Sequence, residues 1–222
     1  LELENLHGAL DAAIENDQGA LAAHCAQNMA RTFDARGPLL SGLTVLERTL
    51  TAVTLDGEDQ CRLLRWQGYL LVKMGRPDDA KSKYLAASAI AKELKLPYLK
   101  VAALSDFGRL YRGQGHWRKA LDSFSKALRM AKKNDLHIWI GGAHFFLGAL
   151  QRNYGLEDLG LAHFEAALAS TRETGPLRRD GNLLGHLGLM WAIQGRFDQA
   201  QDCYEASIAI AQKVGDRRTE GW

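Results

Sequence analysis

Residues 75–82 read GRPDDAKS, one residue away from the phosphate-binding string GxxxxGK[ST]. In such a loop the backbone N–H groups cradle phosphate oxygens, and the lysine reaches the outer phosphates. Here the second glycine is replaced by Ala80, and no strand-like run precedes Gly75. Gly113-Gln114-Gly115 starts a GxGxx string but places Arg118 where the third glycine belongs. Seven histidines occur, without an HExxH motif or an i, i+4 pair completed by a second ligand. A metal needs three or four convergent ligands. Ser, His and Asp are present without a nucleophile elbow. Cys25, Cys61 and Cys203 are odd in number and far apart. They read as unpaired thiols of a reducing, cytoplasmic compartment. The residues therefore predict no enzyme, no cofactor and no metal site.

What the suspect motifs share is a place in a larger rhythm. Gly68, Gly108, Gly148 and Gly188 form a row forty residues apart, and Gly75, Gly115, Gly155 and Gly195 form another. Ala80, Ala120, Gly160 and Ala200 follow in phase, then Tyr84, Phe124, Phe164 and Tyr204, then Ala87, Ala127, Ala167 and Ser207. A fixed period of this size marks a repeat array, and it accounts for both Gly75 and Ala80 without a phosphate. Within one unit, Ala103, Leu104, Phe107, Gly108, Leu110 and Tyr111 recur at three and four residues, the period of one buried helical face. Gly115 then stops that helix as a left-handed glycine would. Ala120, Leu121, Phe124, Ala127, Leu128 and Ala131 make a second apolar face, so each unit is an antiparallel helix pair. The aromatic at Phe124 is expected to fill the gap toward the next unit. Leu96-Pro97, Asn134-Asp135, Gly175-Pro176 and Gly215-Asp216 are helix-stop signals between pairs. His144 occupies the packing column of Leu64 and Leu104, which reads as a satisfied core or surface histidine and not as a metal ligand. His186 lies two residues before Gly188.

Gly108, Tyr111, Gly115, Ala120, Phe124 and Ala127 resemble the tetratricopeptide repeat, in a variant of forty residues. Departures are Leu71, Gln151 and Trp191 in the tyrosine column, with Gly160 and Ser207 in the small-residue columns. The resemblance implies an all-α, right-handed superhelical solenoid of antiparallel helix pairs, forming one array over 1–222. Its expected parts are a leading helix at 1–20, a degenerate unit at 21–60, full units at 61–100, 101–140, 141–180 and 181–220, and the start of a further unit at 221–222. The chain begins at Leu1 without methionine and stops where a unit starts, which reads as a fragment. The opening string through GPLLSGLTVLERTL is similar to the start of helical arrays in bacterial signal-transduction ATPases and transcription regulators.

In the tetratricopeptide family the first helices line a concave groove. The family's groove positions fall here on Arg62, Arg65, Tyr69, Val72 and Lys73, then Ala102, Ser105, Arg109, Arg112 and Gly113. They continue with Gly142, Phe145, Ala149, Arg152 and Asn153, and end with Asn182, Gly185, Leu189, Ala192 and Ile193. Six of the twenty are basic and none is acidic, while acids gather on second helices and turns, as at Asp78, Asp122 and Asp158. Two readings stay open. One is a positive trough for an acidic partner, with Arg binding carboxylates bidentately. The other is a solvated face whose arginines pair with acids of adjacent units.

A net charge of +2 gives no whole-chain pull toward nucleic acid, and no apolar run reaches membrane-spanning length. The expected function is a cytoplasmic, non-catalytic scaffold of signalling that binds a protein or peptide in the groove. Its candidate partner-binding residues are Arg62, Arg65, Tyr69, Lys73, Arg109, Arg112, Phe145, Arg152, Asn153 and Asn182. The alternative is a ligand-sensing regulatory array within a larger signalling ATPase or transcription regulator. Self-association through apolar repeat ends is a further expectation.

Overall fold

The computed structural model describes residues 2–171 and 178–214. They form helices α1 (Glu2–Glu15), α2 (Gly19–Arg36), α3 (Leu39–Ala52), α4 (Gly57–Lys73), α5 (Pro77–Glu93), α6 (Pro97–Gly113), α7 (Trp117–Lys133), α8 (His137–Asn153), α9 (Glu157–Thr171), α10 (Arg178–Ile193) and α11 (Phe197–Val214). There is no strand among the described residues. The helices fall into two compact units, Leu1–His116 with α1 to α6 and Trp117–Trp222 with α7 to α11.

Each expected turn has a physical cause. Asp56 caps α4 by accepting the Asp59 N–H at 2.7 Å. Proline stands at the first positions of α5 and α6, where its missing N–H has no helical partner to lose. Gly75, Gly115, Gly155 and Gly195 have φ between 72° and 74°. After α6, Gly115 N–H bonds to Arg112 C=O and His116 N–H to Tyr111 C=O, closing the helix end as a Schellman motif. The same double bond follows α4, α8 and α10. The GRPDDAKS string is thus a Schellman glycine, a turn and the first turn of α5, with Ala80 fully buried. Asp135 adopts φ 51° between α7 and α8, as the Asn134-Asp135 stop signal predicts. The signals at Gly175-Pro176 and Gly215-Asp216 lie outside the described residues.

The first glycine row and the aromatic row prove to be one device. A Cβ on Gly148 would stand 2.9 Å from the Phe164 ring, one on Gly188 2.8 Å from Tyr204, and one on Gly68 inside the reach of Tyr84. Each ring therefore lies flat against the missing side chain of its own helix pair. Tyr84 also meets Phe107 of the following first helix at 6.0 Å. Phe124 stacks on Phe146 of the following first helix at 5.2 Å, as expected of an aromatic that fills the gap toward the next repeat. In unit 1 the core gathers Leu10, Met29, Leu46, Leu63, Leu70, Tyr84 and Leu110. In unit 2 it gathers Phe164, Ala167, Leu183, Leu187 and Met190. Each such large side chain contributes roughly 1.5–3 kcal/mol on burial.

Candidate functional site

Three of the expected groove positions of unit 1, Arg65, Tyr69 and Arg109, meet with Trp66 and Asp106 in a cavity of about 320 Å³. Helix periodicity assembles it. Residues 65, 66 and 69 share one face of α4, and 106 and 109 one face of α6. Asp106 is only 1% exposed and accepts from two guanidiniums. Arg65 donates through Nε to Oδ2 at 2.5 Å and through Nη2 to Oδ1 at 3.5 Å, and Arg109 donates through Nη2 to Oδ1. Arg109 also lies over the Tyr69 ring, 5.1 Å from its centroid. Burial opposes the Arg109 charge, but Asp106, Tyr84 and Tyr69 together outweigh it and hold the guanidinium pKa above its ordinary value.

A second carboxylate ties α4 to α2. Asp34 accepts from Lys73 Nζ and, at 3.2 Å, from Tyr69 Oη. Burial first, and then the Asp34 charge, push the Tyr69 phenol pKa up, so it stays a donor. Trp66 packs edge-on against Tyr69 at 5.4 Å, with Arg31 over its ring at 5.8 Å.

Of the two readings of the basic groove positions, these contacts favour the paired one. Arg62 pairs with Glu58 at 2.5 Å and Asp59 at 2.8 Å on its own helix. Arg65 and Arg109 share Asp106, and Lys73 takes Asp34. The acids come from positions beside the groove columns, on first helices rather than on second helices and turns. Ala102, Ser105, Gly142, Ala149 and Gly185 of the groove columns are buried. Arg112 lies near the end of α6, partly buried.

Unit 2 fills the corresponding helix faces with rings. Phe145 stands 5.4 Å from His186 and 6.0 Å from Phe164, and Phe164 stacks on His186 at 5.4 Å. Arg152 donates to His186 Nδ1 at 2.8 Å, which requires that nitrogen to be unprotonated. His144 is buried and finds a polar partner in His163. Its Nδ1 lies 2.8 Å from Nδ1 of His163, so one ring donates and the other accepts. Burial first, with His163 and Lys132 adding, lowers the His144 pKa to about 4. The partner His163 was invisible in the sequence, because α9 brings it back nineteen residues later. Asn153 and Asn182 are exposed, the first ending α8 and the second early in α10. Among the described residues, no group of three or more His, Cys, Asp or Glu could hold a metal ion, and no helix is long and apolar enough to cross a membrane.

The helix pairs have the architecture of the tetratricopeptide repeat. Tetratricopeptide repeat family models match residues 59–133 and 182–214. Among curated proteins none matches the chain. Solved structures match its fold. A Rap protein in complex with Competence and Sporulation Factor is 16% identical with a TM-score of 0.76, over 95% of this chain and 60% of that one. Aspartyl phosphate phosphatase F of Bacillus subtilis is 16% identical with a TM-score of 0.71, over 91% of this chain and 54% of that one. A signal transduction ATPase with numerous domains from Pyrococcus horikoshii, bearing a tetratricopeptide repeat sensor, is 15% identical with a TM-score of 0.65, over 89% of this chain and 30% of that one. The chain thus spans 60% or less of each of these proteins. Its helices form an all-α repeat of the tetratricopeptide type.

Proposed function

We propose that the chain is a non-catalytic, cytoplasmic interaction module that holds a peptide segment of a partner in the α4–α6 cavity. The observation that carries this reading is the cavity lining, where Arg65, Tyr69 and Arg109 fall on the family's groove positions beside Trp66 and Asp106. Aromatic floors with guanidinium walls suit an extended peptide, since the rings supply area and the arginines orientation. The fold match to a Rap protein solved with Competence and Sporulation Factor supports a peptide ligand. Arg62, Lys73 and Arg112 flank the cavity along α4 and α6. Phe145, Arg152, Asn153 and Asn182 are the candidate partner-binding positions of unit 2 taken by itself.

The reading is tested by capturing peptides from a random library with the 222-residue chain and comparing the double variant Trp66→Ala/Tyr69→Ala. Affinity for captured peptides should fall more than tenfold. Equal capture by the variant would refute the site. A second reading, a sensor array within a larger signalling ATPase, is favoured by the fold match to the Pyrococcus horikoshii sensor. It places the same cavity under the control of a ligand, and a nucleotide-binding module upstream in the full-length gene would support it.

A further inference from the structure

Asp106 is an unusual lining residue for an open cavity, because it is itself almost wholly buried and saturated by two arginines. The corresponding positions of the neighbouring units carry Trp66, Phe146 and His186, so the repeat frame does not require a carboxylate here. Removing it from the picture leaves two guanidiniums and two aromatic rings facing one volume. That is the composition of a carboxylate site, since the planar fork of Arg matches a carboxylate in two-pronged geometry.

We propose that Asp106 is a tethered stand-in for a ligand carboxylate, and that it sets the specificity of the cavity. An acidic side chain of a bound peptide takes the Arg65 fork, which Asp106 releases while keeping Arg109. The asymmetry of the contacts supports this exchange. Arg65 comes from α4, across the cavity from α6, whereas Arg109 is three residues along the same helix as Asp106. Asp106 therefore never becomes an unpaired buried charge, which would be costly. The described contacts around Tyr69 bring three cations, Arg65, Arg109 and Lys73, to two carboxylates, Asp106 and Asp34, which is a basic surrounding for a ligand carboxylate. Competition with Asp106 makes the cavity selective. A weakly acidic segment does not displace an intramolecular carboxylate, but a segment with several acids does, through its high local charge.

This proposal rests on the peptide-groove reading and is tested separately from it. The probes are a fluorescein-labelled decapeptide of glutamate and its lysine counterpart, titrated by anisotropy against the whole chain. Asp106→Asn should bind the glutamate peptide at least tenfold more tightly than wild type and the lysine peptide no more tightly. Asp79→Asn removes the same charge from an exposed pair with Arg76 and should change neither affinity. Asp106→Asn/Arg109→Gln keeps the charge balance while still releasing Arg65, so it should also gain for glutamate if the single variant folds poorly by circular dichroism. An unchanged or weaker glutamate affinity in both Asp106 variants overturns the proposal, as does an equal gain in Asp79→Asn. Loss of lysine-peptide binding in Asp106→Asn also overturns it, since Asp106 would then be a direct acceptor for a cation. Peptides captured through Trp66 and Tyr69, without any gain in the Asp106 variants, sink the specificity role and leave the groove reading standing. Absence of capture by every variant sinks both.

Discussion

The α4–α6 face of unit 1 and the α8–α10 face of unit 2 are cut from the same repeat, yet they are held by different forces. At positions 65, 106 and 109 unit 1 places Arg, Asp and Arg, and the helices are joined by a buried ionic bridge. Eighty residues on, unit 2 places Phe145, His186 and Leu189, and stacked rings do the joining. The glycine-aromatic contacts beneath are shared by both. The repeat columns thus set the spacing of the helices, and the columns between them are left to vary in chemistry. An ionic face can exchange partners with a ligand. A ring stack packed on its own neighbours has less to offer one.

The largest expected effect tests the ionic side. Asp106→Ala leaves two partly buried guanidiniums without their shared carboxylate, and should cost about 4 kcal/mol, as breaking a buried pair does. Urea denaturation would measure it, and a loss under about 1 kcal/mol would mean that the bridge is solvated and equivalent to a surface pair.

Acid should strike the ring side instead. An unfolded histidine titrates near 6.5, while folded His144 titrates at about 4, so the folded state prefers the neutral ring. Its contribution is complete above pH 6.5 and drains away as pH falls toward 4, a loss of about 3 kcal/mol by linkage. Burial lowers the His163 pKa in the same sense. Amide exchange followed from pH 7 to 4 should therefore show unit 2 opening before unit 1. His144→Leu, which restores the residue of the Leu64 and Leu104 column, should flatten that pH dependence. If both units open together, the contrast is wrong.

A smaller effect probes what the two faces have in common. Gly68→Ala drives a methyl into the Tyr84 ring, which is 1% exposed and has no room to move. Overpacking should cost about 2 kcal/mol and outweigh the helix propensity gained, which is roughly 1 kcal/mol. Gly148→Ala should behave alike against Phe164. A stabilised Gly68→Ala would show that the rings do not rest on the glycine row.

Much of the fold was legible before any coordinates, because helix pairing is local. Gly75, Gly115, Gly155 and Gly195 announce Schellman ends through the one residue type that takes positive φ without strain. The glycine and aromatic rows, in phase, report repeated helix pairs, and the contact of each ring with the glycine of its own pair came from the structure. The candidate site was legible only in part. Arg65, Tyr69 and Arg109 lay on groove columns, but Trp66 and Asp106, on a neighbouring column, line the same cavity. A forty-residue period sorts residues by column, and it says nothing of which charge in one unit reaches which charge in the next.

By itself, then, the order of amino acids determined the helices, their ends and the repeat they belong to, since each depends on neighbours within a turn or a pair. Only the tertiary structure decided the electrostatics. Arg65 and Asp106 are forty-one residues apart, as Tyr69 and Asp34 are thirty-five, and His144 finds His163 on the next helix. Ionic and hydrogen-bonded partners are chosen by distances of a few ångströms in space, which follow from how helices stack and not from the spacing of residues along the chain.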